Sequence, residues 1–132
     1  MTEIKPVIIP ASYTIEAPKE GFGSQDHGIL SWHTLLSNPK TPSSDMCCGL
    51  GVLPPGEGHL CAHRHRQAEI YYITQGEGVV TIDGVSYSVS KGATVFIPGD
   101  AEHGIKNSSD AELQWFYVFP TGNFGDIIYR FS

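Results

Sequence analysis

Several features are missing from this 132-residue chain. No apolar run approaches the ~20 residues of a membrane-spanning helix, and residues 1–10 hold no basic stretch followed by an apolar one, so we expect neither a membrane span nor a signal peptide. Basic residues are also scarce, with 8 Lys and Arg against 14 Asp and Glu and a net charge of −6. Only Arg64 and Arg66 lie close together. This balance argues against binding to nucleic acid or to an anionic membrane.

Cysteine is rare and its spacing forms no recognisable framework. The three cysteines, Cys47, Cys48 and Cys61, make an odd number without a CxxC pair. Such usage is more typical of reduced thiols in the cytoplasm than of disulfides. We therefore expect a cytoplasmic protein whose three thiols are small core residues.

Helical periodicity is hard to find, whereas turn residues are abundant, with 15 Gly and 9 Pro. Short β-branched and aromatic segments alternate with turns, and Asp83-Gly84 is a strong signal for a two-residue hairpin. The predicted strands are 46–53, 59–65, 69–75, 78–82, 85–89, 93–97, 103–107, 112–119 and 127–131. Strands spaced in this way predict an all-β antiparallel sandwich or small barrel that holds one ligand in its mouth.

The length suits one domain, in which residues 1–45 are an N-terminal arm with the first strands and residues 46–132 are the barrel core. Prolines interrupt residues 1–27, and this part of the arm is expected to cover or pair with a sheet edge, of its own or of a second subunit. Residues 28–37 could form a short helix or a strand, and residues 37–45 read as a loop.

Four residues could ligate a metal ion. His63 and His65 are two apart in a predicted strand, so their side chains should share a face. Glu69 follows a bend and His103 follows a turn, and both could approach from neighbouring strands. Imidazoles with one carboxylate suit divalent transition metals such as Fe, Ni, Zn or Mn, although an isolated His-x-His is a weak signal. His27, His33 and His59 are weaker candidates, and His27 is expected to be exposed to solvent.

The residues around these positions resemble the cupin superfamily. HRHRQAEIYYITQG, residues 63–76, matches its first motif, and GATVFIPGDAEHGIKN, residues 92–107, matches its second. The resemblance implies a double-stranded β-helix, or jelly roll, with His63, His65, Glu69 and His103 in the four ligand positions. Glu57 and Asp100 stand where the family often has Gly.

Tyr71 lies two residues after Glu69 and should share its face beside the metal, whereas Tyr72 should point outward. By the same alternation, Cys61 could face the cavity with His63. On the last long strand, Trp115, Tyr117 and Phe119 share one face, which lines either the pocket or the core.

A narrower resemblance rests on AEIYYITQGEG, AEHGIKN and the ending WFYVFPTGNFGDIIYRF. These segments are similar to small single-domain cupins that include dimethylsulfoniopropionate lyases. In those enzymes a Tyr two residues after the ligand Glu is a catalytic base, and a second Tyr near the C-terminus contributes. Tyr71 and Tyr129 fall at the corresponding places.

These observations favour a metal-dependent lyase that removes a proton from a small carboxylate and eliminates a β-leaving group. Alternatives with the same ligands are an Fe(II) dioxygenase or an isomerase acting on a small chelating substrate. A non-catalytic binding or sensor protein also stays open, because a fold alone does not fix function. The resemblance and the long arm further suggest a homodimer through sheet edges.

Overall fold

The computed structural model describes residues 3–132, so the first two residues of the predicted arm lie outside the described residues. The described chain is almost entirely β-structure. Its strands are β1 Gly28–Ile29, β2 Ser31–Leu36, β3 Cys47–Leu53, β4 His59–Arg64, β5 Glu69–Gln75, β6 Glu77–Ile82, β7 Val85–Ser90, β8 Thr94–Ile97, β9 His103–Lys106, β10 Leu113–Phe119 and β11 Arg130–Phe131. A one-turn helix α1, Tyr13–Glu16, precedes them, and a 3₁₀ turn spans Phe124–Asp126.

The strands form two antiparallel sheets that enclose the core. One sheet has the order β1-β4-β9-β6-β7, with β11 also pairing with β4, and the other has the order β2-β3-β10-β5-β8. Strand β10 shows how the sequence builds this arrangement, because Leu113, Trp115, Tyr117 and Phe119 are buried while the residues between them are partly exposed. This alternation turns every second side chain inward. The all-β jelly roll expected from the sequence is confirmed.

Most predicted strands occur within one or two residues of their expected bounds, and β5 matches at both ends. The hairpin at Asp83-Gly84 is also confirmed, since both residues adopt positive φ, 48° and 82°. The prediction was too long for residues 127–131, where only Arg130–Phe131 form a strand after the 3₁₀ turn. Residues 28–37 form two short strands, β1 and β2.

The arm pairs with the edge of its own sheet. Glu20 and Trp32 exchange two backbone hydrogen bonds, of 2.8 and 3.1 Å, so the chain before β1 extends the sheet beyond β2. Among the described residues, no helix is long and apolar enough to cross a bilayer.

Asp100 occupies a turn position where a Gly is common in the resembled family. Its φ is +63°, in the left-handed region that Asp tolerates better than most residues with a side chain. This substitution therefore keeps the turn that precedes His103.

Candidate metal centre and inner cavity

Three histidines meet inside the barrel. His63 belongs to β4, His65 follows the end of that strand, and His103 begins the paired strand β9. Each is only 1% exposed, and one ring nitrogen of each lies within 4.8 Å of those of the other two. These residues, called here the histidine cluster, could hold a metal ion.

Backbone carbonyls fix the orientation of all three rings. His63 Nδ1 lies 2.8 Å from the Cys61 carbonyl oxygen, His65 Nδ1 lies 2.9 Å from that of Gln67, and His103 Nδ1 lies 2.9 Å from that of Ala101. A carbonyl can only accept, so each Nδ1 must carry the hydrogen. In the neutral form, a ring held in this way keeps its lone pair on Nε2, which is the form that ligates metals.

Glu69 brings its carboxylate to this cluster from β5, in the opposite sheet. Its Oε1 lies 3.2 Å from His65 Nε2 and 3.3 Å from His103 Nε2. All three atoms are buried without a hydrogen-bond partner among the described residues. With the rings neutral, these acceptor atoms repel one another unless a cation or a proton lies between them. The donor set thus fits a divalent transition metal.

The environment of His63 favours the neutral form of its ring. Burial, reinforced by the neighbouring His103, lowers the pKa of His63 from 6.5 to about 4. The ring is consequently uncharged at neutral pH and needs no proton loss before it binds a cation.

Tyr71 and Tyr129 both lie beside the histidine cluster. Tyr71 is buried on β5, one inward position after Glu69, with its ring centroid 6.3 Å from that of His103. The Tyr129 ring lies 4.9 Å from that of His63 and 5.5 Å from that of His65. Burial, followed by the Glu69 carboxylate, raises the pKa of both phenols well above 10.

A small inner cavity adjoins Glu69 and these two tyrosines. Its volume is about 20 Å³, which is room for about one ordered water. Trp32, Trp115, Tyr117 and, from the arm, Phe22 line its wall. The sequence analysis missed Phe22 and Trp32, because nothing in the pattern of residues 1–37 indicates which of their side chains enter the barrel.

Three other predictions can be compared with the structure. Tyr72 points outward as expected and is 44% exposed. His27 is partly buried rather than exposed, because its ring stacks on that of Phe131 with centroids 3.8 Å apart. Cys61 does not follow the alternation of His63, since the β4–β9 register shifts between Leu60 and His63. Its thiol instead lies 4.0 Å from the Asp26 carbonyl oxygen.

The remaining histidines lie apart from the cluster. His33 is buried, with Nε2 3.1 Å from the Ala17 carbonyl oxygen. His59 is bonded through Nδ1 to the Glu57 carbonyl oxygen. The first contact holds the arm against β2, and the second is local to the start of β4.

Comparisons with known proteins agree with this geometry. The Cupin_2 family model, the cupin domain, matches residues 49–119. Dimethylsulfoniopropionate lyase DddW of Ruegeria pomeroyi is 36% identical over 115 residues, which cover 87% of this chain and 74% of the lyase. An oxalate-binding protein of Thermotoga maritima is 34% identical over 67 residues, about half of each sequence.

Among solved structures, the polyketide cyclase RemF of Streptomyces resistomycificus superposes with a TM-score of 0.75. The match covers 95% of this chain and 86% of RemF at 16% identity, so it supports the fold alone. Because the family model spans more than half of the sequence and the lyase is matched over most of both chains, this chain belongs to the cupin family.

Proposed function

We propose that this protein is a metal-dependent lyase that acts on a small carboxylate, with dimethylsulfoniopropionate as the best candidate substrate. The observation that carries the proposal is that Tyr71 and Glu69 line one cavity, while the Glu69 carboxylate also contacts two rings of the histidine cluster. The 36% identity with a dimethylsulfoniopropionate lyase supports the same reaction class.

The histidine cluster, with Glu69 as fourth ligand, would hold one divalent transition metal, such as Fe, Ni, Zn or Mn. When bound, this ion supplies a positive charge that attracts the substrate carboxylate and acidifies the adjacent C–H bond. The same charge would offset the burial and the Glu69 carboxylate that disfavour a Tyr71 phenolate.

Tyr71 is proposed as the base. Its Oη, as phenolate, takes the proton from the carbon next to the carboxylate. The electrons of that C–H bond form the carbon–carbon double bond, and the bond to the β-leaving group breaks with its pair on the leaving group. From dimethylsulfoniopropionate the products are acrylate, dimethyl sulfide and one proton, which Tyr71 then releases.

Tyr129 and Phe22 are proposed to enclose the substrate. Their rings lie 5.7 Å apart between the C-terminal segment and the arm, and both line the inner cavity. The cavity holds about one water in this arrangement, so the substrate needs these two side chains to move before it can enter. Their return would exclude water from the reaction.

The decisive experiment compares Tyr71→Phe with the native protein under anaerobic conditions. Protein loaded with each candidate metal is given dimethylsulfoniopropionate, and acrylate is measured by NMR. We expect native turnover without O₂ and a loss in kcat of about 10²–10⁴-fold in Tyr71→Phe, because the base is removed. Metal content should stay unchanged.

Tyr72→Phe is the matched control, since Tyr72 is the neighbouring phenol on the outer face, and it should retain native kcat. If no metal supports acrylate formation by the native protein, the proposed lyase activity is wrong. O₂ consumption with iron alone would instead favour the dioxygenase alternative.

A further inference from the structure

The sheet that contains β5 has an outer face without charged side chains. Paired residues of antiparallel strands point to the same side of a sheet, and Ile70 and Tyr72 of β5 point outward. Their partners extend two rows across all five strands, His33-Leu50-Phe116-Tyr72-Thr94 and Leu36-Cys48-Val118-Ile70-Phe96. None of these ten residues is Asp, Glu, Lys or Arg, although such residues make up 17% of the chain.

The arm covers the half of this face that β2 and β3 form. The Tyr13 ring of α1 stands edge-on to the His33 ring, with centroids 6.3 Å apart, and the Ala17 carbonyl oxygen lies 3.1 Å from His33 Nε2. His33 and Cys48 are buried as a result. Ile15 of the same helix is 84% exposed, so this raised half presents an apolar side chain to solvent.

The half of the face that β5 and β8 form is open. Ile70 and Tyr72 are exposed, and Phe96 between the ends of β8 is exposed to 64%. Ile70, Phe96 and the exposed Met46 line one groove, whose lining includes one exposed charge, that of Asp45. Contiguous exposed apolar side chains are typical of a surface that binds a partner.

A second copy of this chain is the partner that fits both halves. Two copies with a net charge of −6 repel one another, so they meet most readily at a surface that carries little charge. A two-fold axis through the middle of the face, near β3 and β10, would place the raised half of each copy on the open half of the other. The edge of β2 is less suitable, because Glu20 and Trp32 already share backbone hydrogen bonds there.

The face is also large enough for a stable pair. Its three longest strands have seven residues each. Five strands about 4.8 Å apart, with a rise of about 3.3 Å per residue, cover about 500 Å² in projection. The accessible area is larger than this projection, because side chains stand up from the sheet and α1 adds its own surface. It approaches the roughly 800 Å² that each partner buries in a stable complex.

We propose that the protein forms a two-fold dimer through this outer face, with α1 of each copy seated on β5 and β8 of the other. Ile15 of one copy is then buried among Ile70, Tyr72 and Phe96 of the second. The pair forms through a sheet face rather than through the sheet edges expected from the sequence. Because this face lies on the opposite side of the sheet from the inner cavity, the dimer does not depend on the proposed function.

Sedimentation equilibrium at micromolar concentration tests the dimer, and the native protein should show about twice the chain mass of 14.4 kDa. Phe96→Glu puts a charge on the open half, and Ile15→Lys puts one on the raised half. Each should raise the dimer dissociation constant by about 100-fold or more, because both copies then bury an unpaired charge.

Val85→Glu is the matched control, since Val85 is a similarly exposed apolar residue on β7 of the other sheet. This variant should remain dimeric. All three positions are exposed in the single chain, so the variants should fold, and their melting temperatures check this.

A mixture of Phe96→Glu and Ile15→Lys tests the reciprocal contact. A mixed pair keeps one native contact between the halves, and the two introduced charges, of opposite sign, meet at the other. The mixture should therefore form dimers at a concentration at which each variant alone is monomeric. Failure to do so would contradict the two-fold contact between α1 and the open half.

A native protein that stays at 14.4 kDa would overturn the proposal. Dimers that persist in both Phe96→Glu and Ile15→Lys would overturn it as well, because the copies would then meet elsewhere, such as at the sheet edges. Native monomers that bind phosphatidylcholine vesicles, and lose this binding in Phe96→Glu, would assign the face to a lipid surface instead. Acrylate formation enters none of these outcomes, so a failure of the lyase proposal is recognised separately.

Discussion

At the scale of single residues, the environment of His63 makes folding sensitive to pH. Its pKa is about 4 in the folded protein and near 6.5 in an unfolded chain. Between these values the unfolded chain binds a proton that the folded protein excludes. The metal-free protein should therefore lose stability as the pH falls from about 6.5 to about 4, with no further loss from this group below that range. Urea unfolding of chelator-treated protein across this range measures the loss.

The control for this prediction is a histidine of the same chemistry outside the cluster. His59→Gln should keep the pH dependence, because His59 is partly exposed on β4. His63→Gln should remove part of it. An identical slope in the native protein and in His63→Gln would contradict the assignment to His63.

At the scale of elements, β3 carries glycines where the large side chains of β10 need space. A Cβ added to Gly51 would lie 2.5 to 2.7 Å from ring atoms of Trp115, and this tryptophan is 3% exposed at the centre of the barrel. Gly51→Ala should thus destabilise the protein by about 1–3 kcal/mol through overpacking. Gly21→Ala, whose added Cβ would meet only the Leu30 carbonyl oxygen at 4.0 Å, should be close to neutral. Denaturant unfolding of both variants provides the comparison, and equal stabilities would contradict it.

The elements also show which features can be predicted from the sequence. Alternation and turn residues predict β5 and the Asp83-Gly84 hairpin, because both depend on neighbouring residues alone. The same local alternation, with the family motifs, indicates His63, His65, Glu69 and His103 as one group. It fails at Cys61, where the register with β9 shifts.

The contacts of the arm are even harder to predict from the sequence than those of the strands. Glu20 joins the edge of the sheet through a backbone pairing with Trp32, and the pattern of side chains in the sequence does not indicate such backbone hydrogen bonds. The place of Phe22 in the cavity wall depends on that pairing as well. Such long-range contacts have to be read from the structure.

At the scale of the whole molecule, the candidate metal centre joins the two sheets. His63 and His103 come from the sheet that contains β4 and β9, whereas Glu69 comes from β5 in the other sheet. An ion held by residues of both sheets binds the folded chain and not the unfolded one. Metal at about 100 times its dissociation constant should add about 2.7 kcal/mol, which raises Tm by roughly 10 °C for a chain of this size. Calorimetric scans at increasing Zn²⁺ measure the shift, and His103→Ala should abolish it.

Glu69→Gln tests whether the second sheet takes part in this stabilisation. If Glu69 is the fourth ligand, the amide should weaken metal binding because the buried cation loses the charge that compensates it. A higher Zn²⁺ concentration would then be needed for the same Tm shift. The metal-free variant, in contrast, should be at least as stable as the native protein. The reason is that the amide presents no negative charge to the lone pairs of His65 and His103. Opposite effects in the metal-free and loaded proteins distinguish a ligand from a structural carboxylate, for which both stabilities would fall together.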